Sequence, residues 1–182
     1  MSAPIEFVGF GKIARLVGDM TITEKIDGTN AAIGITDDGQ VWAQSRSRII
    51  TPKDDNFGFA VWVQENVDEL STLGPGVHFG EWWGRGIQRN YGLQERRFSL
   101  FNVERWSDIG GLRPPCCHVV PTLDVRTFDT HVIHQVASRL AYTGSNAAPG
   151  FDNPEGVMVW LHRARLMLKH PFDANHKTEA AA

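Results

Sequence analysis

Cysteine is nearly absent: the 182 residues hold two, the neighbours Cys116 and Cys117. Adjacent cysteines make a poor disulfide framework, so the expectation is a reduced, cytoplasmic protein, in a bacterium or a phage-infected cell. No apolar run approaches the roughly 18–20 residues of a membrane span, and no membrane partner is expected. The opening residues Met1–Glu6 lack the basic-then-apolar order of a secretion signal. Internal repeats and low-complexity linkers are missing. So is an excess of positive charge: 18 Lys and Arg stand against 21 Asp and Glu, for a net charge of −3. A general nucleic-acid binder would usually be basic overall.

What is present is globular. Hydrophobic residues make up 42% and charged residues 21%, which places one domain over residues 1–172 and a polar, disordered tail over 173–182. Residues 19–25 are β-rich. Residues 30–46 read as a hairpin, with Asp37-Asp38-Gly39 between two apolar runs. Residues 55–70 suit a helix with an aromatic face, and 129–142 a second helix capped by Asp129 or Thr130. Strands are expected over 77–83, 97–103, 157–161 and 165–169. Antiparallel strands with a few helices give an α+β class.

The most informative segment is Glu24-Lys25-Ile26-Asp27-Gly28-Thr29-Asn30. A lysine leaves a β-run and enters a tight turn crowded with polar groups. An unperturbed lysine is protonated at neutral pH; burial or a cationic neighbour frees the amine for attack. Gly28 lets backbone N–H groups approach a phosphate. Glu81 lies on an aromatic strand and Glu155 heads another; such carboxylates bind sugar hydroxyls or a divalent cation. Lys169 ends an apolar strand, where a cation can face a phosphate. Taken singly, each is an ordinary turn or strand end.

Taken in order, they resemble the motif series of the covalent nucleotidyltransferases, the superfamily of DNA ligases, RNA ligases and mRNA-capping enzymes. The series is Lys25-x-Asp27-Gly28, Arg46, Phe79-Gly80-Glu81, Phe98–Phe101, Glu155–Val159 and Leu168-Lys169. The likeness is greatest to the RNA ligase 2-like branch, which includes a phage T4 RNA ligase and the RNA-editing ligases. Its most specific stretch is Gly86-Ile87-Gln88-Arg89-Asn90 after the glutamate. Ser45-Arg46-Ser47 running on to Asn56-Phe57-Gly58-Phe59 also matches.

The resemblance implies an α+β nucleotidyltransferase (ATP-grasp-like) fold, with two antiparallel sheets enclosing the nucleotide and helices outside. It implies an ATP-dependent RNA ligase that acts in RNA repair. Lys25 would attack the α-phosphorus of ATP and hold AMP as a phosphoramidate, with Mg²⁺ or Mn²⁺ as the metal. The AMP would pass to a 5′-phosphate end, which a 3′-hydroxyl then attacks. By the same likeness Glu155 binds the metal and Lys169 contacts the α-phosphate. Glu81 and Arg46 hold the ribose, and Phe101 stacks on adenine. Glu24, Asp27, Gly28, Thr29 and Asn30 complete the ATP site. Arg85, Arg89, Arg96 and Arg97 form a basic stripe for RNA ends or a nicked duplex. The reading is of a monomer.

Two features depart from the pattern. The family's last motif often carries lysines at alternate positions of one strand; here the second falls on Pro171. Only 13 residues follow Lys169, which leaves no room for the C-terminal OB-fold many relatives carry. The alternatives are therefore a minimal DNA ligase, or a stand-alone adenylyltransferase that needs a partner for sealing. A capping guanylyltransferase and a binding-only relic are the remaining rivals. Gly9-Phe10-Gly11-Lys12 has the wrong spacing for a Walker A loop and reads as a strand-turn start. Trp42, Trp62 and Trp160 are expected in the core, and Trp82 and Trp83 beside the nucleotide.

Overall fold

The computed structural model describes residues 6–11, 13, 18–107 and 113–172. The tail expected over 173–182, and Lys12 of the Gly-Phe-Gly-Lys run, lie outside them. In chain order the strands and helices are β1 (Asp19–Lys25), β2 (Thr29–Ile35), β3 (Val41–Ser45), β4 (Ile49–Ile50), α1 (Phe59–Glu65), α2 (Val67–Leu70), β5 (Gly76–Gly84), β6 (Arg96–Leu100), α3 (Val103–Trp106), β7 (Cys117–Val119), β8 (Thr122–Thr127), α4 (Thr130–Thr143), β9 (Gly156–Leu161) and β10 (Leu166–Pro171).

Strand alternation organises the first sheet, whose order is β10-β9-β1-β8. In β1, Met20, Ile22 and Glu24 are buried on one face, and Thr21, Thr23 and Lys25 take the other. Met20 and Ile22 join Val157 and Val159 of β9 against Val136, Ala137 and Leu140 of α4. Asp129 caps α4 by accepting from the His131 N–H at 2.8 Å.

The second sheet runs β4-β3-β2-β5-β6-β7. Its core face carries Ile33, Trp82, Phe98 and Leu100, packed on Phe59, Ala60 and Val63 of α1. Phe59 lies 5.3 Å from Trp82 and 5.1 Å from Phe98, ring centre to ring centre. Its other face presents Asn30 and Ala32 from β2, Phe79 and Glu81 from β5, and Ser99 from β6, as the register of opposed residues requires. One pair departs from the expected antiparallel pattern: β6 and β7 are parallel. Between them in the chain lies α3, in the long connection that parallel pairing demands.

Several elements differ from the sequence expectation. The helix expected over 55–70 begins at Phe59, because residues 55–58 form a turn. Phe57 and Gly58 there take positive φ of 51° and 73°, and Asp55 accepts from the N–H groups of Ala60 and Val61. The strand expected over 97–103 ends at Leu100 and gives way to α3. The tryptophans differ in part: Trp82 and Trp83 are 2% and 1% exposed, Trp42 and Trp160 are half-buried, and Trp62, also half-buried, packs on the core as expected. Alternation explains Trp82: with Glu81 on the open face, its neighbour must point into the core. Trp83 shares the face of Glu81 but is covered by Tyr91, whose ring meets it edge-on at 4.9 Å.

Candidate active site

The two sheets meet at the end of β1. Lys25 is the last residue of β1, and the antiparallel register sets it opposite Gly156, the first residue of β9. The residue before Gly156 is Glu155, so the pairing itself brings amine and carboxylate together. Lys25 Nζ lies 2.6 Å from Glu155 Oε1, with both side chains largely buried. Burial raises the Glu155 pKa above the usual carboxylate range, and the Lys25 ammonium offsets part of that. Its second oxygen, Oε2, is buried and has no hydrogen-bond partner.

The chain turns sharply after Lys25, and each residue of the turn is held. Gly28 N donates to Glu81 Oε1 at 3.1 Å, and Asn30 Nδ2 donates to Glu81 Oε2 at 3.3 Å. A Cβ on Gly28 would stand 2.5 Å from the Trp82 carbonyl oxygen and 2.7 Å from Trp83 Cβ, so only glycine lets the turn lie against β5. Asp27 N donates to Tyr91 Oη at 2.8 Å, and the Asp27 carboxylate accepts from Arg89 Nε at 3.0 Å. Thr29 Oγ1 accepts from Asn56 Nδ2 at 3.1 Å. Burial lifts the Glu81 pKa to about 7, against the pull of Lys25 and the Gly28 N–H.

The structure brings together Lys25, Asp27, Gly28, Asn30, Glu81 and Glu155. Arg46 follows β3 on the same face, in line with Asn30 and Glu81 when the register is continued by one residue. Phe101 follows β6, where its N–H donates to the Phe79 carbonyl at 3.0 Å and its ring is 37% exposed. Lys169 is exposed on β10, level with Met158 and Thr23. The β10 position level with Lys25 is Pro171, across Gly156.

Glu24 does not reach this face. Its side chain is 1% exposed and accepts from Ser145 Oγ at 2.5 Å, Asn146 N at 2.8 Å and Ala147 N at 2.9 Å. Adjacency to a lysine on a strand is what sends it to the opposite side. The four arginines do not form one stripe either. Arg96 and Arg97 are consecutive on β6 and so point oppositely. Arg96 donates to the Phe57 and Arg85 carbonyls, and Arg97 to Glu95. Arg89 belongs to the turn beside Lys25. Sequence reasoning missed Tyr91 and Ser145, whose only signals are their places in loops that fold back onto the site.

Among the described residues no three His, Cys, Asp or Glu side chains form a ready-made metal cage. The Glu155 orphan oxygen nevertheless fits a divalent cation held by one carboxylate together with substrate phosphates, the usual mode for Mg²⁺.

A family model described as RNA ligase matches residues 18–159. The chain is also similar to solved mutants of a Naegleria gruberi RNA ligase. One with ATP and Mn is 19% identical, covering 84% of this chain and 48% of that one at a TM-score of 0.61. An apo mutant is 20% identical, covering 84% and 49% at 0.64. A mutant with AMP and Mn is 18% identical, with the same coverage, at 0.61. The chain thus spans about half the length of those structures. Among curated proteins none matches it.

Proposed function

This chain belongs to the RNA ligase family, and from that premise we propose that it is the nucleotide-charging domain of an ATP-dependent RNA ligase. Lys25 is the nucleophile. As the free amine it attacks the α-phosphorus of ATP: an N–P bond forms, the bond to the β-phosphate oxygen breaks and pyrophosphate leaves. Glu155 holds Mg²⁺ or Mn²⁺, which when bound neutralises charge on the phosphates. Glu81 and Arg46 take the ribose, Phe101 the adenine face and Lys169 the phosphate. AMP then passes to a 5′-phosphate end of RNA, and attack by a 3′-hydroxyl seals the strand and releases AMP.

The single observation that carries this reading is the pair Lys25–Glu155, closed at 2.6 Å with the second carboxylate oxygen left over. Mutants of the Naegleria gruberi RNA ligase, to which the chain is similar, were solved with ATP or AMP and Mn. Incubation with α-labelled ATP and Mg²⁺, followed by a denaturing gel, tests it. Label should attach to the wild type, be lost in Lys25→Ala and be weaker with labelled GTP.

A second reading has its own support. The separation of Arg89 and Arg97 from the neighbours Arg85 and Arg96 favours an adenylyltransferase that relies on a partner for its grip on nucleic acid. Sealing of a nicked duplex by the isolated chain, with 3′-ribose and 3′-deoxyribose compared, separates this from a complete RNA or DNA ligase.

A further inference from the structure

On the faces of β1 and β5 that carry Lys25 and Glu81, a cavity of about 380 Å³ lies between the two sheets, with Thr23 and Phe101 in its lining. On β1 the path runs Lys25, Thr23, Thr21, roughly 13 Å at the usual strand rise. On β5 it runs Glu81, Phe79, Val77, and on β10 from Lys169 to Met167. One wall of the cavity carries Phe101 and Phe79, the other Trp160 and Met167. At its far end Thr21 Oγ1 and His162 Nε2 are hydrogen-bonded at 2.9 Å.

Phe101 alone supplies a stacking surface for one purine. Phe79 lies level with Phe101, while Val77, 42% exposed, and Met167, 47% exposed, lie further from Lys25 on the same cleft walls, so apolar surface remains beyond the purine. The chemistry of the nucleotide sets what would lie there. With its α-phosphate at Lys25 and its ribose on N9, adenine turns the edge bearing N1 and the exocyclic amine away from the phosphate. With the phosphate at Lys25 and the ring on Phe101, that edge would be the part nearest the Val77–Trp160–Met167 end of the cavity.

We propose that this end is an accessory subsite that admits an apolar, planar substituent on the exocyclic amine of adenine, so that the domain charges itself with N6-substituted adenylates as well as with AMP. The inference rests on the nucleotide reading above. The bond changes are those of the ATP reaction: the Lys25 nitrogen bonds the α-phosphorus, pyrophosphate leaves with the electron pair of the broken P–O bond, and the nitrogen releases its extra proton to solvent. The substituent takes no part and fills the apolar space.

The test is intact-protein mass after incubation with ATP or N6-benzyl-ATP in Mn²⁺, for the wild type, Met167→Trp and Val77→Phe. The wild type should form the benzyl-AMP adduct at a rate within about fivefold of the AMP adduct. Each variant narrows the cavity and should keep the AMP adduct while slowing the benzyl adduct about tenfold or more; the AMP adduct also reports that the variant folds. An AMP adduct with no benzyl adduct on the wild type overturns the subsite and leaves the nucleotide reading standing. Benzyl adducts unaffected by both variants also overturn it, since the substituent then lies elsewhere. Absence of both adducts on folded wild type overturns the nucleotide reading and the subsite with it.

Discussion

Lys25 Nζ and Glu155 Oε1 are 2.6 Å apart because Lys25 closes one strand and Glu155 precedes its antiparallel neighbour. The contact is a product of strand register, which makes it rigid. Glu155→Gln keeps the shape and removes the charge. It should cut AMP attachment about 10²-fold or more while the melting temperature moves little. Initial rates at saturating metal and ATP, beside a thermal melt, check this.

Gly28 sits where a Cβ would meet the Trp82 carbonyl and Trp83 Cβ. Gly28→Ala must push the turn off β5 and strain the hydrogen bond to Glu81. The expected cost is about 1–3 kcal/mol of stability, with AMP attachment lost out of proportion to that change. Urea unfolding paired with the labelling assay measures both.

Glu81 titrates near 7 in the folded protein because it is buried, against an ordinary 4.5. Between those values the folded state holds a proton that the unfolded state has lost. Glu81 therefore contributes stability that is fully present below pH 4.5 and falls as pH rises to about 7, by roughly 3 kcal/mol at most. Chemical denaturation from pH 5 to 7.5 should show this decline in the wild type and a shallower one in Glu81→Gln. Parallel curves would remove the burial argument.

Glu24 latches β1 to the loop after α4 through Ser145, Asn146 and Ala147. Glu24→Ala leaves those buried donors unpaired, at about 1–3 kcal/mol for each group that water cannot reach. The melting temperature should drop more than in any substitution at the exposed Lys169. A small shift would mean that the loop is held by other contacts.

Much of the fold was legible because its signals are local. The β2–β3 hairpin follows from Asp37-Asp38-Gly39, and Gly39 takes the positive φ of 87° that such a turn needs. Helix α4 follows from its cap and its apolar face. Strands β7 and β8 were not legible: Cys117–Val119 is short, and Thr122–Thr127 is mostly polar and held by pairing to distant β1. Within the site, Lys25 and Glu155 pair, and Gly28 and Asn30 both bond Glu81. Glu24 went the other way because a strand's neighbours point to opposite faces, and Arg96 and Arg97 part for the same reason. Tyr91 could not be found from sequence, since its bond to Asp27 N spans 64 residues.

The most direct test is to locate the adduct. Wild-type protein incubated with ATP and Mn²⁺ is digested and its peptides sequenced by tandem mass spectrometry. One AMP-bearing residue is expected, Lys25, with the modification absent from Glu155→Ala. AMP carried by another residue, or none on folded protein shown to be free of AMP beforehand, would contradict it.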